Sequence, residues 1–397
     1  MGNEELPHSD RISHLPDDLL VRILSLIPVR NAMSTSLLSK RWKSVWKMMP
    51  TLVYDETCRH IGSLRSDHFF GVSLRLHEAP VLKTLILQLV EDSDSIDTLL
   101  FPNIRSTLLE ITIIFDSYRR RYSPITFPEN LNVFKTLLVM KLEGRILLDC
   151  DDSPVCFPSL KSLHLTSVEF SCEESLSTLL SACPILEDLY LERLCSVGSF
   201  LYTISVPSLQ RLFLTKGNAY YGNDDPKASL KVNLSKNVEL LKVLTSVERL
   251  SLDSYPSMVL HTADSLILNR LLHLELDVCN NFRSNLLVRL LKDYPNLRAL
   301  KLKRTHPKDM EDQLCLVSEP SYVPECFSFH LETLQWIGYG GTLQENETAV
   351  YIFKNARRLK TATISIHSKD TENGLMMVKD LRSMAKASAS CQLVIKI

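Results

Sequence analysis

The side chains able to do chemistry are scattered along this 397-residue chain instead of gathered. Ten cysteines (Cys58, Cys150, Cys156, Cys172, Cys183, Cys195, Cys279, Cys315, Cys326 and Cys391) are its strongest nucleophiles and softest metal ligands, yet none forms a Cys-x-x-Cys pair or a Cys/His cluster. Zinc sites and disulfide frameworks need such spacing, because several groups must converge on one point. Buried free thiols in a reducing compartment fit the pattern better. Cys183 precedes Pro184 and an apolar stretch, which is the setting of a core thiol and not of an activated nucleophile. The 11 histidines are dispersed, and the sequence has no phosphate-binding loop, dinucleotide fingerprint, His-Glu-x-x-His or Gly-x-Ser-x-Gly. No catalytic residue, metal or cofactor is expected, so the chain should act by binding.

One cluster of cations could read nucleic acid. Lys40, Arg41, Lys43 and Lys47, interleaved with Trp42 and Trp46, have the composition of a recognition helix. The tryptophans stand four apart, however, share one helix face and read as core. A formal net charge of −1 provides no long-range pull toward DNA, RNA or anionic lipid. The start, Met1-Gly-Asn-Glu-Glu-Leu6, lacks an apolar signal core, and no later apolar run is long enough to span a bilayer. An intracellular location, in cytoplasm or nucleus, is expected. Gly2 lacks the Ser or Thr that a myristoylation motif wants where Leu6 stands, and the triplets Asn233-Leu-Ser235 and Asn346-Glu-Thr348 matter only in a secreted chain.

The elements that carry these residues fall into two patterns. From Leu15 to Met49 the chain reads as short helices, with Pro16 in the first turn, where its missing N–H is harmless. At 100° per residue, Leu15, Leu19, Leu20, Val21, Ile23, Leu24, Leu26 and Ile27 cover far more of the circumference than one core can bury. One side should pack inside the small domain and another against a partner protein. Pro28 is expected to end this helix, and Asn31 to Leu37 and Ser39 to Trp46 to form two more, with Ser39 as a cap.

The second pattern is Leu-x-x-Leu-x-Leu, with other apolar residues tolerated, beginning at Leu82, Leu108, Leu137, Leu160, Leu186, Leu209, Val247, Leu271, Leu297, Leu331 and Leu359. Most intervals match the roughly 20–29 residues of a leucine-rich repeat. Pro80, Pro158, Pro184, Pro207 and Pro295 stand two residues ahead of a start, where they stop a helix and feed a strand. Each repeat predicts one short parallel strand with its leucines in a stacked core and the residues between them on a concave face. Segments such as Leu176 to Cys183 and Leu286 to Tyr294 have helical spacing and belong on the convex side. The long interval after Leu209 holds a turn-rich insertion, Lys216 to Ser229, read as an exposed loop. The concave face should place Tyr190 beside Phe213, with Asp188 and Arg211 alongside and His164 on the next strand, an aromatic patch with charged edges suited to binding a target protein.

The stretch Asp10-Arg-Ile-Ser-His-Leu-Pro-Asp-Asp-Leu-Leu-Val-Arg-Ile-Leu24 followed by Ser36-Leu-Leu-Ser-Lys-Arg-Trp-Lys-Ser-Val-Trp46 resembles an F-box of the plant type. Glu319-Pro-Ser-Tyr-Val-Pro-Glu-Cys-Phe327, Leu331-Glu-Thr-Leu-Gln-Trp-Ile-Gly-Tyr339, Asn355-Ala-Arg-Arg-Leu-Lys-Thr-Ala-Thr-Ile364 and Ser390-Cys-Gln-Leu-Val394 resemble the FBD domain of plant F-box/FBD/LRR-repeat proteins. The resemblance implies an α/β chain: a small helical F-box, then a leucine-rich-repeat solenoid ending in an FBD-type cap. The boundaries expected are a flexible 1–9, an F-box at 10–50, a linker or solenoid cap at 51–79, degenerate repeats at 80–315 and the FBD domain at 316–397. It also implies contacts from Leu15, Pro16, Leu19, Ile23, Leu24, Pro28 and Val29 to a Skp-type adaptor, and through it to a cullin scaffold. The chain would then be the substrate-recognition subunit of an SCF-type ubiquitin ligase, with catalysis left to its associates. A scaffold without a degradative role, and a receptor whose small ligand completes a protein interface, are alternatives that the same solenoid allows.

Overall fold

The computed structural model describes residues 12, 14–55, 66–89, 107–115, 124–127, 134–148, 156–172, 174–192, 195–196, 201–202, 204, 206–215, 231–232, 245–252, 267–277, 284–304, 322–367 and 371–396. The chain forms two compact units, Met1–Cys183 and Pro184–Ile397.

The first unit opens with helix α1 (Asp17–Leu24), capped by Pro16 and carrying Asp17 and Asp18 in its first turn, where the helix dipole favours negative charge. It ends before Pro28, not at it. The residue ahead of a proline avoids the helical region, and the chain tightens through Leu26 N–H to Ile23 O and Ile27 N–H to Leu24 O before Pro28 caps α2 (Val29–Ser34). In α3 (Lys40–Val45) Ser39 holds the N-cap position with extended backbone, but its side chain makes no capping hydrogen bond. Trp42 and Trp46 are buried, as core residues four apart should be.

A strand follows at once. β1 (Thr51–Asp55) lies in the stretch read as a linker or cap, and Met49, Leu52 and Tyr54, all buried, repeat the Leu-x-x-Leu-x-Leu template with other apolar residues. Helix α4 (Ser66–Leu76) then leads to β2 (Thr84–Leu89), β3 (Glu110–Phe115), β4 (Val139–Gly144) and β5 (Ser162–Thr166). All pair parallel, and their registers align Leu52, Leu85, Ile111, Met140 and Leu163 in one buried row. Helix α5 (Glu174–Ser181) covers the leucine core with Leu176, Leu179 and Leu180. Three intervals also carry short strands: Ile125–Thr126, Ile146–Leu148 and Glu169–Phe170 form a second parallel ladder. Ile146 and Leu148 are buried on either side of a half-buried Leu147, the two-residue period of a strand.

In the second unit β6 (Asp188–Glu192), β7 (Arg211–Thr215), β8 (Arg249–Leu252), β9 (His273–Asp277), β10 (Ala299–Lys303), β11 (Thr333–Tyr339), β12 (Thr361–Ile366) and β13 (Gln392–Lys396) pair parallel in chain order. Leu189, Leu212, Leu250, Leu274, Leu300, Leu334 and Ala362 form their core row. Every repeat start read from the sequence thus precedes a strand of the structure. Helices α6 (Ser284–Leu291), α7 (Glu325–Phe329), α8 (Leu343–Asn355) and α9 (Thr371–Ser383) fill the intervals. Thr342 caps α8 in a capping box, its Oγ1 accepting from Glu345 N–H at 3.3 Å while the Glu345 carboxylate accepts from Thr342 N–H at 3.0 Å. The same carboxylate accepts from Gly340 N–H and pairs with Arg304, which ties the turn after β11 to the end of β10. Asn346 accepts from the Tyr339 hydroxyl and Thr348 is fully buried, so the two polar ends of the Asn346-Glu-Thr348 triplet are engaged within the fold while Glu347 is exposed.

Candidate functional site

Two faces place the residues singled out from the sequence. On α1, Leu20 and Leu24 turn inward, and Leu19 (41% exposed), Ile23 (45%) and, beyond the helix end, Leu26 (84%) turn outward at the i, i+4, i+7 spacing of a second stripe. Ile12, Leu37 and Leu38 are also exposed. Pro16 is exposed, Leu15 and Pro28 are half-buried, and the Leu15 carbonyl accepts from the Arg41 guanidinium. Leu24 and Val29 are a correction. They lie wholly inside the chain's own core, so they support the face from behind and present no side chain to a partner. Leu26, Leu37 and Leu38 add exposed apolar surface beside the residues named from the sequence; Leu26 was visible in the excess apolar circumference of α1, and Leu37 and Leu38 as an apolar pair in a polar turn.

The cations read against DNA recognition are partly engaged. Arg41 pairs with Asp17 at 2.6 Å and Lys47 with Glu78 at 2.6 Å. The helices are joined to the first repeat by backbone bonds from Glu78 and Ala79 N–H to Lys47 O and from Lys83 and Thr84 N–H to Pro50 O. The Arg30 guanidinium lies 4.7 Å over the Phe69 ring, and the Tyr54 hydroxyl shares a 2.8 Å bond with buried Ser73. Those contacts hold the exposed stripe on a rigid base.

The second face lies on the outward positions of the second unit's strands. Register sets Arg211 opposite Asp188 and Phe213 opposite Tyr190. The two rings stack with centroids 4.0 Å apart, and the Arg211 guanidinium pairs with both oxygens of Asp188, which stabilises its charged form. Burial, then the Asp188 carboxylate, raise the Tyr190 hydroxyl above its usual pKa against the smaller pull of Arg211 and Arg249. On β9, burial and then Arg249 hold His273 below the usual imidazole range. All four residues of the patch are half-buried. His164 belongs to the first unit, on β5, where it lies opposite Lys141 and its Nε2 shares a 3.0 Å bond with Ser162. The Lys216 to Ser229 insertion lies outside the described residues.

Cys183 is buried with Sγ bonded to Leu179 O, and burial pushes the Cys326 thiol up to about 12, far from a thiolate at neutral pH. Among the described residues no group of three His, Cys, Asp or Glu side chains is placed to hold a metal ion, and no helix is long and apolar enough to cross a membrane.

Comparison with known proteins agrees with this geometry. The family model of the F-box domain matches residues 12–54, that of the Leucine Rich Repeat residues 159–184, and that of FBD residues 319–364. A protein of Arabidopsis thaliana described by the same three elements is 61% identical, with 100% of this chain and 98% of the relative aligned. An FBD-associated F-box protein of the same plant is 46% identical over 100% of this chain and 97% of its own, and an F-box/FBD/LRR-repeat protein is 35% identical over 98% and 99%.

Proposed function

From the chain's membership of the plant F-box/FBD/LRR-repeat family, we propose that it is the substrate-recognition subunit of an SCF-type cullin-RING ubiquitin ligase. The outward stripe on α1 carries this reading. Leu15, Pro16, Leu19, Ile23 and Pro28 dock on a Skp-type adaptor, with Leu24 and Val29 holding them in place from within. A helix this short, with one apolar side buried and a second in water, is stable in solution at a cost that a partner removes. Through the adaptor the chain reaches a cullin scaffold, whose associates transfer ubiquitin. Its own contribution is to raise the local concentration of a target protein held on the outward strand positions, Asp188, Tyr190, Arg211 and Phe213 in the second unit and His164 in the first.

Co-purification with a Skp-type adaptor tests the reading. Leu19→Asp with Ile23→Asp should abolish the complex and leave the chain folded by circular dichroism, because both side chains are partly exposed and outside the buried core. Undiminished adaptor binding by that double variant would refute the assignment of the face.

A further inference from the structure

The strand β13 stands at one end of the ladder of described strands. β13 pairs with β12 through Ala362↔Leu393 and Ile364↔Ile395, and among the described residues no strand pairs with its other side. Gln392 N–H donates to Lys360 O at 2.9 Å, so Gln392, Val394 and Lys396 turn their backbone groups toward β12. Alternation along the strand leaves the N–H and C=O of Leu393 and Ile395 pointing at the open edge. Ala362 and Ile364 are fully buried, whereas Leu393 and Ile395, next in the same core rows, are only half-buried, and Val394 on the other face is 46% exposed. Natural edges are usually blunted by inward charges, proline or a bulge. Gln392-Leu-Val-Ile-Lys396 has a single charge, at its end, and a regular register.

The strand is also complementary to itself. In an antiparallel pair related by a two-fold axis through Val394, Leu393 lies opposite Ile395 of the second copy, and the outward backbone groups of each meet those of the other. Val394 lies opposite its own copy as a non-hydrogen-bonded pair. Lys396 meets Gln392 instead of another lysine, so no like charges are opposed. The half-exposed Leu393 and Ile395 side chains of both copies come together on the core side. We infer that β13 is a self-association edge, through which two copies of this chain pair antiparallel over Gln392–Lys396. So short an edge buries well under the roughly 1,000 Å² of a stable interface, so the dimer is weak and depends on concentration.

The test uses the full chain in sedimentation equilibrium across a wide concentration range, where the weight-average mass should climb from one copy toward two. Val394→Lys puts like charges face to face on an already exposed position; its mass should stay that of one copy while circular dichroism and the thermal midpoint are unchanged. Val394→Cys, treated with diamide, should form a disulfide-linked dimer above the wild-type background, since non-hydrogen-bonded opposites have Cα atoms about 4.5 Å apart, within reach of a disulfide. Lys396→Cys, whose own copy lies several residues away along the pair, should not. A mass of one copy at all concentrations would overturn the inference, as would a dimer that survives Val394→Lys. Cross-linking through position 396 instead of 394 would overturn the register.

Discussion

The rings of Tyr190 and Phe213 lie 4.0 Å apart and within 4° of parallel, because parallel register sets the two residues opposite one another on adjacent strands. Each ring shields one face of the other from water. Stacked aromatic pairs contribute about 0.5–1.5 kcal/mol beyond their buried area, so a urea-denaturation cycle of Tyr190→Ala, Phe213→Ala and the double variant should show coupling of that size. Strictly additive losses would mean that the stack does not persist in solution.

Neighbouring residues on β5 should respond in opposite ways. Leu163 is fully buried in the core row, and its truncation to Ala should cost about 2–5 kcal/mol. His164 points outward and touches Ser162, so His164→Ala should stay within roughly 0.5–1 kcal/mol. Thermal unfolding of the two variants separates the faces; equal losses would reverse them.

Gly144 is required by geometry. It sits at φ +102° where β4 turns toward Ile146–Leu148, and a Cβ there would lie 2.0 Å from the Phe115 carbonyl oxygen. Gly144→Ala should lose at least about 1–3 kcal/mol, since both the left-handed backbone and the clash must be relieved. Gly71, in α4 with open space around it, provides the contrast: Gly71→Ala should gain about 0.5–1 kcal/mol through helix propensity. Denaturant midpoints of the pair moving in the same direction would contradict this account.

Acid should loosen the junction between the helices and the first repeat. Burial holds the His77 imidazole below its usual pKa, against the smaller opposing effects of the Met49 carbonyl, to which Nε2–H donates at 2.8 Å, and of Glu78. As pH falls through the unfolded value of about 6.5, the unfolded chain takes up a proton that the folded chain refuses, so stability declines. Above that value the group contributes no slope. His273 acts in the same direction. In urea titrations His77→Gln, which cannot titrate, should flatten part of the decline below neutrality; an unchanged slope would assign it to other groups.

The amino-acid sequence by itself determined the strand ladder. Two inward leucines separated by one outward residue, with a third apolar residue three positions earlier, leave little choice once a two-residue period is imposed, so each repeat start from Leu82 to Leu359 was legible. It also contained β1, since Met49, Leu52 and Tyr54 satisfy the same template, but an aromatic and a methionine in place of leucines obscured it. Only the tertiary structure decided which apolar residues of α1 are inside. Leu19, Leu20, Ile23 and Leu24 are chemically alike, and on a helix of eight residues the packing of α3 and the Trp46–Met48 turn, not hydrophobicity, sends Leu20 and Leu24 inward and leaves Leu19 and Ile23 partly exposed. The edge at β13 was equally hidden, because Leu393 and Ile395 continue the core pattern and nothing in their identity says that, among the described residues, only β12 pairs with their strand. Local periodicity specifies an element and its faces; which face meets protein and which meets solvent depends on neighbours far along the chain.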